Sequence, residues 1–348
     1  CVCGISRFKK YQDCRMKWFS FSRRNLVHYG ALHMAQEYLD NPGPRVEQDL
    51  VTSGMSRTDL HGKKLIVDFR AEGQCDKVVG NLVAYLQTLP VEDILVVFNA
   101  VVDVNCLSYK ALSQPTFLTN FAGWFDRLDS SDKTTDTDTK FLCLMRRPSI
   151  SRARLARGLL DISSIRLSFG SMGANNITNE YRDIIPRELP LLLDGIVERS
   201  TGLEHDQTNS MFKTCMFNII AESGSQSDVG VWRSHFISEK TFKAFGLRQI
   251  PIWFAVPGLV AQVRKLGFDV FDDIVTHSYD SITDEDQRLE SVLKEIHRLD
   301  QLTLGQCQQL KQQLSSRIDS NYALLKQYAS DVDAWYSRVE TEFDKNDS

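Results

Sequence analysis

Apolar residues in the first third of the chain fall in short unbroken runs joined by stretches of helical spacing. Residues 65–69 and 94–98 are apolar almost throughout, as strands buried on both faces are, and between them apolar positions over 78–89 recur every third or fourth residue. That alternation predicts a β-α-β unit and therefore a parallel sheet. A second alternation follows, with strands at 141–145, 165–169, 216–221 and 250–254, helices at 152–160 and 240–247, a Gly/Asn-rich turn at 170–176, and Gly or Pro closing the elements. From 281 to 343 apolar residues recur at 289, 292, 293, 296 and 299 and again at 322, 324, 325 and 328, which predicts amphipathic helices. The segment 129–139 has no apolar residue, so it reads as a surface loop near a domain junction. The predicted fold class is α/β, with two Rossmann-like, doubly wound domains at 1–138 and 139–280 and a helical tail, 281–348, packing on both.

Composition narrows the classes. The 348 residues are enough for two domains, and 42% hydrophobic with 25% charged residues excludes disordered and fibrous chains. Lys plus Arg number 41 against 45 Asp plus Glu, a net charge of −4, so nothing in the bulk charge points to nucleic acid or an anionic membrane. Any anion site must be local. No apolar run reaches the 18 residues of a membrane span. The 8 cysteines sit mostly alone within apolar strings, as small buried hydrophobes do, which favours a reducing compartment; Cys1, Cys3 and Cys14 lack a CxxC pair, and no metal site is expected. The chain opens on Cys1 without an initiator Met, so targeting signals are not legible, and the expected localisation is cytoplasmic or virion-associated.

Chemistry concentrates between 215 and 260. Glu222 follows the apolar run 216–221, at a strand end where a carboxylate is expected to face a cleft. Ser238 is an expected N-cap for a helix opening on Glu239 and Lys240, and a helix N-terminus with a lysine beside it is a ready anion site whose neighbouring carboxylate can accept from sugar hydroxyls. Further upstream, Arg146, Arg147, Arg152, Arg154 and Arg157 form a basic run after the strand 141–145, with Arg152 and Arg147 at the strand-to-helix turn and Arg154 and Arg157 expected to face solvent.

The order strand, Glu222-Ser223, then Ser238-Glu239-Lys240 opening a helix, then Ile250-Pro251-Ile252 and the Pro257-Gly258 turn resembles the donor-binding signature of family 10 glycosyltransferases. These are the α-1,3-fucosyltransferases and their bacterial and phage relatives. A looser likeness covers 141–148 and Arg152; residues 1–135 carry no motif of that family. The resemblance implies a GT-B fold with an acceptor-side N-terminal domain, a nucleotide-sugar donor, GDP-fucose in that family, and a glycan or similar acceptor, with inversion and no required cofactor. It places Lys240 and an arginine of 147–152 on the donor diphosphate, Glu239 on a sugar hydroxyl of the ribose, and Glu222 at the donor sugar. Two positions depart from it, Ile237 where the family has an aromatic residue and Ala255-Val256 where it has a glycine.

Plainer readings stand beside these. Glu239 and Lys240 also suit a solvated helix start, Glu222 a capped surface carboxylate, and His235 and His277, without a carboxylate or cysteine in register, structural roles. The N-terminal domain offers Asp68, Glu72 and Asp103 after strands as candidate general bases, and the sequence does not choose among them. G-x-S-x-G and P-loop motifs are absent. The alternative to an enzyme is a structural or virion-associated protein that keeps the fold without turnover and assembles through its C-terminal helices.

Overall fold

The computed structural model describes residues 19–21, 26–30, 41–69, 76–98, 101–102, 111–113, 137–171, 177–191, 211–222, 234–235, 237–330 and 341. The protein is mixed α/β with parallel sheets, and the chain separates into two compact units, one drawn from residues 1–115 and 339–348 and the other from 116–338.

In the first unit, β1 (Phe19–Phe21) pairs antiparallel with β2 (Leu26–Gly30), and β3 (Lys64–Phe69), β4 (Asp93–Phe98) and β5 (Ala111–Ser113) continue the sheet in parallel. The sheet order is the chain order, so among the described strands the sheet grows in one direction only. Helices α1 (Pro42–Thr52) and α2 (Asp76–Leu86) pack against each other, and their apolar stripes meet Val27, Leu65, Val67 and Val96. Pro42 suits a first helical turn, where no N–H is needed. The Tyr29 hydroxyl donates to the Asp49 carboxylate at 2.8 Å, which satisfies a buried acid within this core.

The second unit's sheet holds β6 (Thr139–Met145), β7 (Ile165–Phe169), β8 (Cys215–Ala221) and β9 (Ile250–Phe254), in the order β9-β8-β6-β7 and parallel throughout. Every residue of β8 and β9 is buried, as expected of parallel strands covered on both faces. From β6 the chain steps outward to β7 through α3 (Ile150–Leu159), and from β8 it steps the opposite way to β9 through α5 (Glu239–Gly246). Right-handed crossovers in opposite directions put these two helices on opposite faces. Short α4 (Asn179–Ile184) packs on α3, and α6 (Leu259–Lys265) follows β9.

The predicted tail divides into α7 (Glu285–Asp300), α8 (Leu304–Gln313) and α9 (Ser315–Ser330). Within this unit α7 lies against β9 and α3, α9 against α5, and α8 against β6 and β8. Its stripe Val292, Ile296, Leu299, Cys307, Ile318 and Leu325 is thereby buried. Gly158 lets α7 pack close on α3, because a Cβ there would collide with the Leu293 side chain. Arg317 forks onto Asp269 and Asp273 and fastens α9 to the loop after α6.

Thr137 corrects one expectation. It lies at the end of the polar segment, yet it is 1% exposed, with its carbonyl accepting from Gln308 on α8. Residues 129–136 lie outside the described residues, as do Cys1, Cys3, Cys14, Glu72 and Asp103.

Candidate functional site

The second sheet reverses its direction of growth between β6 and β8, and open α/β sheets leave a crevice for ligands at the carboxyl ends of the strands beside such a reversal. The residues just past those ends are Arg146 and Arg147 after β6 and Glu222 after β8, and α5 begins on the same edge. The structure therefore gathers at one place the segments that the sequence singled out.

Glu222 does not face a cleft. It is 4% exposed, and its backbone N–H donates to Phe254 on β9 at 3.1 Å, which turns the side chain toward α5. There Oε1 accepts from the Ser238 backbone N–H at 3.1 Å and from the Thr241 hydroxyl at 2.9 Å, while Oε2 accepts from the Ser238 hydroxyl. Thr241 in turn accepts from the Trp253 indole N–H at 2.9 Å. A buried anion with three donors is spent on holding the helix start. The N-terminus of α5 is correspondingly not the open anion site expected from the sequence, because Glu222 and Ser238 already serve it; the Ser238 hydroxyl accepts from the Lys240 N–H at 3.2 Å.

What α5 does present is its first pair of side chains. Lys240 Nζ lies 3.1 Å from the Ser238 hydroxyl, 3.3 Å from Glu239 Oε1 and 3.8 Å from Glu222 Oε2. Burial pushes the Glu239 carboxyl up, but the Lys240 ammonium, the residue's own N–H and the Arg146 guanidinium outweigh it and hold the group below the ordinary carboxylate range. Glu239 is thus ionised at neutral pH. Its second oxygen, Oε2, is buried and has no hydrogen-bond partner among the described residues.

The arginines separate by role. Arg152 is buried and donates to the Arg147 carbonyl and the Ala221 carbonyl, each at 3.1 Å, so its guanidinium stitches the ends of β6 and β8 together. Arg147 is exposed and Arg146 half-buried. Arg157 is exposed as expected, whereas Arg154 is half-buried and paired with Asp286 on α7, which no local pattern announced.

Two further charged residues escaped the sequence reading. Asp280 caps α6, its carboxylate accepting from the Val260 and Ala261 N–H groups at 3.0 Å each. Arg288, 1% exposed, donates through Nη1 to the Ile282 and Thr283 carbonyls at 2.7 and 3.1 Å. Neither carries a motif; at this edge only Ser238, as an expected N-cap, gave a signal in the sequence. The histidines are structural. His235 Nε2 donates to the Pro257 carbonyl at 2.8 Å, and Gly258, at φ 84°, leaves room for that ring, since a Cβ would come within 2.8 Å of it. His277 Nε2 donates to the Val270 carbonyl, leaving Nδ1 to accept from the Tyr279 hydroxyl, each at 2.8 Å. Burial lowers its pKa, so the ring stays neutral.

Comparison with protein-family models, curated proteins and solved structures finds no match. Among the described residues no helix is long and apolar enough to cross a membrane.

Proposed function

We propose that the chain is a glycosyltransferase of GT-B-like organisation that moves a hexosyl or deoxyhexosyl group from a nucleotide sugar to an acceptor hydroxyl, with GDP-fucose the first donor to try. The observation that carries the reading is Glu239, an ionised carboxylate whose Oε1 meets Lys240 while Oε2 is buried without a partner. An ionised carboxylate only accepts, so the missing partner is a donor, and a ribose hydroxyl has that chemistry. The adjacent Lys240, with Arg147, would hold the diphosphate, while Arg152 and Glu222 keep β6, β8 and α5 in register around it.

The doubly wound, Rossmann-like description has support in the reversed strand order of the second sheet. In the proposed reaction an acceptor oxygen attacks the anomeric carbon as the bond to the diphosphate breaks, with inversion. A carboxylate general base would take the acceptor proton, and the lysine and arginine charges would neutralise the leaving group without an obligatory metal.

A thermal-shift panel of nucleotide sugars tests this. A true donor at about 100 times its dissociation constant should stabilise the protein by roughly 2.7 kcal/mol, and release of nucleoside diphosphate should follow when an acceptor is present. If no nucleotide sugar stabilises the protein, the reading fails and a structural or virion-associated role takes its place.

A further inference from the structure

We propose that Thr241 and Trp253 are positioning residues that set ligand affinity at Lys240 through Glu222; the ligand half of this rests on the proposed function, the positioning half does not. The hydrogen bonds converge on Glu222 from both sides. The Trp253 indole N–H donates to Thr241 Oγ1 at 2.9 Å, the Thr241 hydroxyl donates to Glu222 Oε1 at 2.9 Å, and Glu222 accepts both the backbone N–H and the hydroxyl of Ser238. The Ser238 hydroxyl then meets both the Lys240 N–H and its ammonium.

Each bond constrains the next. Thr241 is fully buried and Trp253 is 1% exposed, so water is not at hand to replace a lost partner. Because Trp253 fills one lone-pair direction of the threonine oxygen, the hydroxyl proton is left to point at Glu222. Glu222 is fixed from below by its own strand bond to Phe254. The rotamer of a lysine at the helix start is thus governed by a side chain on the buried face of the same helix and an indole on β9.

The test compares Thr241→Val, which keeps the shape and removes the hydroxyl, with Thr241→Ser, which keeps the hydroxyl. Val292→Ala, on α7 and outside the chain of bonds, serves as a destabilised control. The probe is inorganic pyrophosphate, measured by calorimetry, alongside amide exchange of Ser238, Glu239 and Lys240 in the ligand-free protein. Thr241→Val should weaken pyrophosphate about tenfold and speed those amides by at least as much, while Thr241→Ser and Val292→Ala stay within about threefold of wild type. Wild-type affinity and exchange in Thr241→Val overturns the proposal, as does equal acceleration in Val292→Ala. If the wild-type protein binds no pyrophosphate, the phosphate-binding role of Lys240 falls, and the exchange data alone decide the positioning role. Should Thr241→Val not fold, Trp253→Phe, which removes only the indole donor of this chain, carries the same comparison.

Discussion

Helices α5 and α6 both begin at the carboxyl edge of the second unit, α5 past the end of β8 and α6 past the end of β9, and both have a carboxylate from elsewhere in the chain set on their first turn. At α6 the clamp is closed: Asp280 gives both oxygens to backbone N–H groups, and the Gly258 N–H meets the Asp280 carbonyl at 2.7 Å. At α5 the clamp is built from side chains as well, and beside it stand Glu239 and Lys240, the lysine touching the cap through the Ser238 hydroxyl and Glu239 keeping one oxygen outside it. The same helix-end physics thus gives one joint whose cap uses both carboxylate oxygens and one that leaves a neighbouring carboxylate oxygen unpartnered. A filled N-terminus identifies neither; what distinguishes α5 is the buried carboxylate oxygen left without a donor.

Substitutions should separate the two joints. The largest effect is expected from Glu222→Leu, which leaves the Ser238 N–H and the Ser238 and Thr241 hydroxyls without their acceptor and should cost about 3–4 kcal/mol of stability by urea denaturation at unchanged slope. A loss under about 1 kcal/mol would show that Glu222 does not hold α5. Lys240→Ala should cost less, about 1 kcal/mol of stability, and weaken nucleotide-sugar or pyrophosphate binding by about 2 kcal/mol, roughly thirtyfold, read by calorimetry. Asp280→Ala should cost about 1–2 kcal/mol of stability and leave that affinity unchanged; a matching loss of affinity would mean that the α6 joint also serves the ligand.

The smallest effect is the pH response of His277. Burial holds its folded pKa below the unfolded value, so the unfolded chain takes up a proton that the folded chain refuses, and stability falls as pH drops through about 6.5. Against His277→Gln, the wild-type protein should lose up to about 1 kcal/mol more between pH 7 and pH 5.5. Parallel curves for the two proteins would show that His277 titrates alike in both states, and a wild-type curve that gains stability on acidification would show that it is charged in the fold.

Much of the second unit was legible because the signals that specify an element are local. The runs 165–169 and 250–254 match β7 and β9 residue for residue, the helix predicted at 240–247 is α5 displaced by one position, and Ser238 caps it as its hydroxyl and spacing suggested. Apolar periodicity and caps act within one or two turns, so they survive in the sequence. The role of Glu222 was not legible, since its acceptor atoms are used by residues 16 and 19 positions away that meet it only once β8 and β9 pair and α5 packs over them.

The sequence by itself determined strands β3, β4 and β6 to β9, helices α2, α3 and α5, the apolar stripe of the tail, and that Glu239 and Lys240 open a helix. Only the tertiary structure decided the order β9-β8-β6-β7, and with it which strand ends flank the reversal and which N–H groups each buried charge can reach. A charge taken out of water must find its partner in three dimensions, and that partner is set by the packing of elements rather than by spacing along the chain. Asp280 on α6 and Glu222 on α5 each found theirs that way.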